Sequence, residues 1–203
     1  TITSGDCATT YDAQDHTCEE YVVTYGDSTI TECTACAHDT LTHIYVIPTG
    51  DTVTIKEPEV LHDVDTVPNT FEYTITNDTN YPNVDTTIGT IQVDKRPIEI
   101  TANSNEWMYD GESHSDSGYI ITDGELADGE TIDTVVVTGS ITYPGDSANV
   151  AGGAVITDGS GNNVTDNYDI TYVPGTLTVT KDTTALTITS GDCATTYDAQ
   201  DHT

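Results

Sequence analysis

The residues best equipped for chemistry sit in one short stretch, Cys33-Thr34-Ala35-Cys36-Ala37-His38, with Cys7, His16, Cys18 and His43 close by in the chain. A Cys-x-x-Cys pair can serve haem attachment, zinc binding, thiol redox chemistry or a disulfide. Haem attachment requires a His directly after the second Cys, and Ala37 intervenes. A zinc site needs four converging ligands, and two Cys-x-x-Cys pairs would signal one, but the chain carries a single pair. A redox pair needs a helix N-terminus to lower the thiol pKa, and no helical stripe adjoins it. Structural disulfides are therefore the expectation. A Cys33–Cys36 bridge would close a very small loop, so the spacing favours Cys7 and Cys18 each reaching Cys33 or Cys36. Such bridges imply an oxidising, extracellular setting.

Cys193 makes the count odd until the chain is compared with itself. Residues 1–17, TITSGDCATTYDAQDHT, return letter for letter at 187–203, so Cys193 is the next copy of Cys7 and the period is 186 residues. Repeats of this kind must be found before any fold is assigned. A weaker repeat lies inside the period. A shift of 98 aligns residues 2–24 with 100–122 without a gap, matching Ile2 with Ile100, Tyr11 with Tyr109, Asp12 with Asp110, His16 with His114 and Tyr21 with Tyr119. NYPNVDTTIGTIQVDK (80–95) likewise parallels NYDITYVPGTLTVTK (167–181), with one extra residue in the first.

The chain thus divides into a module at 1–96 with a cysteine-bearing inserted loop, a module at 97–183 without cysteines, and the start of the next repeat at 184–203. The linkers Lys95-Arg96-Pro97 and Lys181-Asp182-Thr183-Thr184 hold three of the four basic residues, which read as polar punctuation and not as a binding patch.

The elements that must position these residues are strands. FEYTIT (71–76), GTLTVT (175–180), TIQV (90–93), DITY (169–172), TVTI (52–55) and LTIT (186–189) alternate apolar and polar residues, the period of a half-buried strand. Turn signals such as YPGD and DGSGNN separate them. The fold class expected is all-β, with two Ig-like sandwich or β-grasp-like modules arranged end to end.

Charge excludes several functions. With 35 acidic residues against 4 basic ones and a net charge of −31, the surface repels nucleic acid and anionic membranes. A halophilic source would give the same balance. No run of 18 apolar residues exists to span a bilayer.

The remaining motifs are weaker. DGSGNNVTDN (158–167) and DGELADGE (123–130) offer oxygens to calcium but lack the EF-hand spacing, and Asp-Gly and Gly-Asn turn chemistry explains them. No other cofactor or metal is expected. Asn77 and Asn163 stand in glycosylation sequons. Lys56, Lys95 and Lys181 are the lysines from which an isopeptide bond to Asn could form. His16 and His114 follow their Tyr-Asp turns at equivalent positions, which suggests a hydrogen bond within the turn. No nucleophile and base are recognisably paired, so an enzyme is not expected.

YDGESHSDSGYIIT, VTGSITYPGDSANV and VTDNYDITYVPGTLTVTK, within residues 100–181, resemble the YDG/MBG-type tandem modules of bacterial extracellular surface proteins. Those modules open on a Tyr-Asp-Gly turn and close on Asn-Tyr, Gly-Thr-Leu and a strand ending in Lys. The first module departs by reading Tyr11-Asp12-Ala13 and by inserting CTACAHDTLTH at 33–43. The resemblance implies tandem modules of an adhesin, stalk or fibre, and no catalytic residues. The partners expected are neighbouring copies of the chain, in a covalent array or in a filament joined by strand exchange at the repeated ends. The alternative is an adhesin module whose 33–43 loop and exposed tyrosines bind a host glycan, mucin or protein.

Overall fold

The computed structural model of the chain describes all residues except 38–41, 57–58, 193, 202 and 203, together with the side chains of 35–37. The chain is all-β. Its helical content, among the described residues, is two single turns of 3-10 helix at Asp78–Asn80 and Thr165–Asn167.

Among the described residues, eleven strands precede Lys95: β1 (Ile2–Ser4), β2 (Cys7–Thr10), β3 (Tyr21–Tyr25), β4 (Ser28–Ile30), β5 (Cys33–Ala37), β6 (Thr42–Val46), β7 (Thr52–Lys56), β8 (Asp65–Pro68), β9 (Glu72–Ile75), β10 (Thr86–Thr87) and β11 (Thr90–Asp94). Seven follow it: β12 (Arg96–Ala102), β13 (Asn105–Met108), β14 (Tyr119–Gly124), β15 (Thr131–Thr138), β16 (Gly145–Thr157), β17 (Tyr168–Val173) and β18 (Gly175–Thr180). The alternation expected of 52–55, 90–93 and 175–180 is the one observed: Val53 and Ile55, Ile91 and Val93, and Leu177 and Val179 all point into cores.

The sheets run β10-β1-β3-β4, β2-β11-β8 and β5-β6-β7-β9 in the first half, and β14-β12-β17 and β13-β18-β16-β15 in the second. Each sheet draws its strands from one side of Lys95, the single residue between β11 and β12. Register repeats as well as order. Ile2 lies between Val23 and Thr86, and Ile100, 98 residues on, lies between Ile121 and Tyr172. Cys7 pairs with Ile91 as Asn105 pairs with Leu177.

Buried groups follow the same duplication. Asn69 and Asn149 are 1% and 0% exposed. The Asn69 amide donates to the carbonyls of Gly5 and Cys18, and that of Asn149 to Asn103 and Asp116. Gly89 and Gly175 back onto the Gly5 and Asn103 carbonyl oxygens, which a Cβ would meet at 2.1 and 2.2 Å, so both halves need glycine at that point.

Two departures from expectation concern the cysteines and the tail. Cys7 and Cys18 are bonded to each other, with Cα atoms 5.7 Å apart, and not to Cys33 or Cys36. Cys7 starts β2, whereas Cys33 starts β5 in a different sheet, so the nearer partner wins. In the second half the two positions hold Asn105 and Asp116, joined by a 3.2 Å hydrogen bond from Nδ2 to Oδ2. Cys33 is disulfide-bonded as well; the Cys36 side chain and Cys193 lie outside the described residues. LTIT (186–189), expected as a strand, forms none, and Leu186 and Ile188 are exposed. Its counterpart Ile98–Thr101 in β12 is held by β14 and β17, and residues 190–203 include no counterpart of either.

The insertion in the first half spans more than its loop. Strands β5 and β6 form a hairpin that extends the β7-β9 pair into a four-stranded sheet. The tip of that hairpin, 38–41 with His38, lies outside the described residues.

Candidate functional site

With only Lys95 between β11 and β12, whatever orients the two halves must come from side chains that meet across the joint. One core cluster passes through it, joining Tyr11, Leu61, Ile91 and Val93 of the first half to Ile98, Ile100, Ile156 and Tyr168 of the second. A second cluster, centred on Ile2, Val23, Val53 and Ile55, belongs to the first half alone.

The centre of the junction is Glu130, the residue before β15, which is 8% exposed. Tyr11 donates its hydroxyl to Oε1 at 2.5 Å, and Tyr168 donates to Oε2 at 2.5 Å. The Tyr168 hydroxyl also accepts the Ala127 N–H at 2.8 Å. The Tyr11 and Tyr168 rings meet edge to face, 5.9 Å apart at 77°, a favourable arrangement of their quadrupoles. Burial, and then the neighbouring Glu130 carboxylate, push the Tyr11 phenol well above its ordinary range. Burial is also the main cause that raises Tyr168, with Glu130 adding to it. A buried carboxylate is tolerated where its oxygens are hydrogen-bonded, and here the two bonds come from opposite halves.

Around this centre lie two further polar clasps. Arg96 donates through Nε to the Glu125 carbonyl at 2.7 Å, through Nη1 to the Tyr11 carbonyl at 3.2 Å, and through Nη2 to the Glu125 carboxylate at 3.2 Å. Asn167, 6% exposed, accepts the Val64 N–H at 3.0 Å and donates to Asp63 at 2.8 Å. Each clasp fixes backbone or carboxylate of the first half against the second.

Sequence reasoning found Tyr11 and His16 through the repeat but missed the roles of Glu130, Arg96 and Asn167. Glu130 is one of 35 acidic residues and sits in a stretch that reads as a turn. Arg96, read as linker punctuation, is instead the cation of the joint. Scarcity of basic residues could not single it out, because Lys95 and Lys181 share its linker placement and only the packed structure shows what Arg96 touches.

The other candidates are elsewhere. His16 Nε2 pairs with Asp12 Oδ1 at 2.8 Å, and His114 Nε2 with Asp110 Oδ1 at 3.0 Å, the hydrogen bond within the turn that their spacing suggested. Asn77 and Asn163 are both exposed. The Asp158 carboxylate is occupied by its own turn: the Asn162 side chain and the N–H groups of Asn162 and Ser160 bond to it and hold its pKa below the usual value. Among the described residues no group of three or more His, Cys, Asp or Glu could hold a metal ion. None of their helices is long and apolar enough to cross a membrane.

Compared with known protein families, curated proteins and solved structures, the chain matches none.

Proposed function

We propose that the chain is a structural repeat unit of a long extracellular surface protein, two modules of the YDG/MBG type standing end to end in a stalk or filament. The observation that carries this reading is the junction: Tyr11 and Tyr168 clamp one buried carboxylate between halves that a single residue connects. Ligand chemistry does not require such a joint, but transmitting orientation from one module to the next does, and stacked repeats gain stiffness from nearest-neighbour contacts of this kind.

Three further features agree with it. The 17-residue identity of 1–17 and 187–203 fits a tandem array. The Cys7–Cys18 bond fits an oxidising compartment. A net charge of −31 opposes lateral clumping of neighbouring stalks.

The test is small-angle X-ray scattering on the 203-residue chain and on the same chain with residues 18–203 appended once more. The reading expects monodisperse, elongated particles whose maximum dimension roughly doubles. A compact particle, or no growth in length, would overturn it.

A further inference from the structure

The junction has a donor side and an acceptor side, and the chain carries a second copy of each at its outer ends. The donor is Tyr11, held after β2 by its N–H bond to the Asp94 carbonyl at 2.9 Å. Its counterpart is Tyr109, held after β13 by the same bond to Thr180, also 2.9 Å. Tyr11 is 1% exposed beneath the second half. Tyr109 is only half-buried, and its hydroxyl has no partner among the described residues. Beside it stand Met108, 57% exposed, and Tyr143, 74% exposed and stacked on Tyr109 at 6.4 Å. Contiguous exposed apolar and aromatic side chains of this kind mark contact surfaces.

The acceptor side is Tyr168, which caps the 3-10 turn at Thr165–Asn167, together with Glu130 immediately before β15. In the first half Tyr81 caps the turn at Asp78–Asn80, and Asp51 stands immediately before β7. Strands β7 and β15 are themselves equivalent. Each pairs antiparallel with the strand segment that follows the buried Asn, β9 after Asn69 and the later part of β16 after Asn149. Tyr81 donates to Asp51 just as Tyr168 donates to Glu130.

What differs is occupancy. Glu130 is covered by Tyr11, whereas among the described residues Asp51 takes hydrogen bonds only from its own half, including the Asn77 amide at 2.7 Å. A carboxylate oxygen accepts two hydrogen bonds, so a further donor can be received. Beside Tyr81 opens a cavity of about 220 Å³ whose lining is part apolar, with Ile2, Val53 and Ile75, and part polar, with Thr1, Thr24 and Asn83, at the edge of the first half's own core.

We infer that the Asp51–Tyr81 end of the first half is a docking surface for a second copy of this chain. Its occupant is the Met108–Tyr109–Tyr143 end of that copy's second half, with the Tyr109 hydroxyl donating to Asp51 as Tyr11 donates to Glu130. The inference rests on the tandem-array reading, in which the second copy is the preceding repeat, and it turns alternate linkers into rigid joints of one design.

Tyrosine nitration by tetranitromethane, quantified by mass spectrometry, tests it on the chain with residues 18–203 appended. Ser113→Thr in the last copy distinguishes the two Tyr109 peptides by mass. The first copy's Tyr109 should nitrate at least tenfold more slowly than the last copy's and as slowly as Tyr11. Asp51→Ala in the second copy should restore its reactivity while Tyr11 stays protected, which shows that the modules remain folded. Equal reactivity of the two Tyr109 residues overturns the inference, as does protection that survives Asp51→Ala. If the scattering length still doubles in that case, the array stands and only the docking falls. A compact particle removes the array itself.

Discussion

Asn69 and Asn149 occupy the same place in the two halves, each buried and each bridging two main-chain carbonyls with a sequence separation of 13, Gly5 with Cys18 and Asn103 with Asp116. The pair shows that the two halves share an internal polar device as well as a strand order. Replacing Asn149 by Ala strands both carbonyls and should cost about 2–3 kcal/mol in urea unfolding. Asn69→Ala should cost a similar amount. A loss below 0.5 kcal/mol, taken as roughly the scale of a surface substitution, would show that the carbonyls find other donors.

The clamp on Glu130 should behave as one unit. Tyr11→Phe removes one donor from a buried carboxylate and should destabilise the chain by about 1–3 kcal/mol. In a Tyr168→Phe background the same change should cost measurably more, because it removes the last tyrosine donor from a buried carboxylate. Strict additivity in the double-mutant cycle would mean that the hydroxyls act independently.

Alkali should loosen the junction. Burial and then the Glu130 carboxylate raise Tyr11 above its ordinary 10.0, and burial raises Tyr168 likewise. The folded chain therefore keeps protons that the unfolded chain releases near pH 10.0. This contribution to stability is complete below that pH and declines as the pH climbs through and beyond it. Phenolate absorbance should show Tyr11 and Tyr168, and Tyr81 beside the Asp51 carboxylate, ionising later in the folded chain than in urea, together with the loss of circular dichroism. Simultaneous titration of all twelve in the folded chain would contradict the burial of the clamp.

The Cys7–Cys18 bond closes a loop with a sequence separation of 11. Loop-entropy arguments assign such a bond about 3 kcal/mol, so Cys7→Ser with Cys18→Ser should lower stability by that order. Hydrogen exchange should place the loss in residues 1–94. Asn105→Cys with Asp116→Cys transfers the bridge to the equivalent positions, and peptide mapping should find it formed under oxidising conditions. Free thiols at both positions would show that the two halves differ in local geometry there.

Ala13 and Gly111 test the one irregularity in the Tyr-Asp turn. Both have positive φ, 62° and 87°, a region that costs a residue bearing a Cβ about 1–2 kcal/mol. Gly111→Ala should destabilise by about 1 kcal/mol, whereas Ala13→Gly should be neutral or stabilise by up to about 1 kcal/mol, the relief being offset by the entropy that glycine adds to the unfolded chain. Thermal unfolding should come earlier in Gly111→Ala and hold or come later in Ala13→Gly, and a parallel loss in both would show that the turn is not strained.

Much of this architecture is legible in the sequence because its signals are local or repeated. The alternation in TIQV and GTLTVT places Ile91, Val93, Leu177 and Val179 in cores without reference to any partner. The 98-residue shift identifies Tyr11 with Tyr109 and His16 with His114, and the structure holds both pairs by matching backbone and Asp contacts. Asn69 and Asn149 lie in VPNT and SANV, where asparagine resembles any turn residue. Nothing nearby marks them as buried.

The sequence by itself determined the all-β class, the period and the likeness of the two halves, since these depend on side-chain alternation and on copying. Tertiary structure alone decided which groups meet. Tyr11 finds Glu130 across 119 residues, and Cys7 chooses Cys18 over Cys33 and Cys36. Such choices follow from distance and from which polar groups burial leaves in need of a partner, quantities that exist only once the sheets have packed.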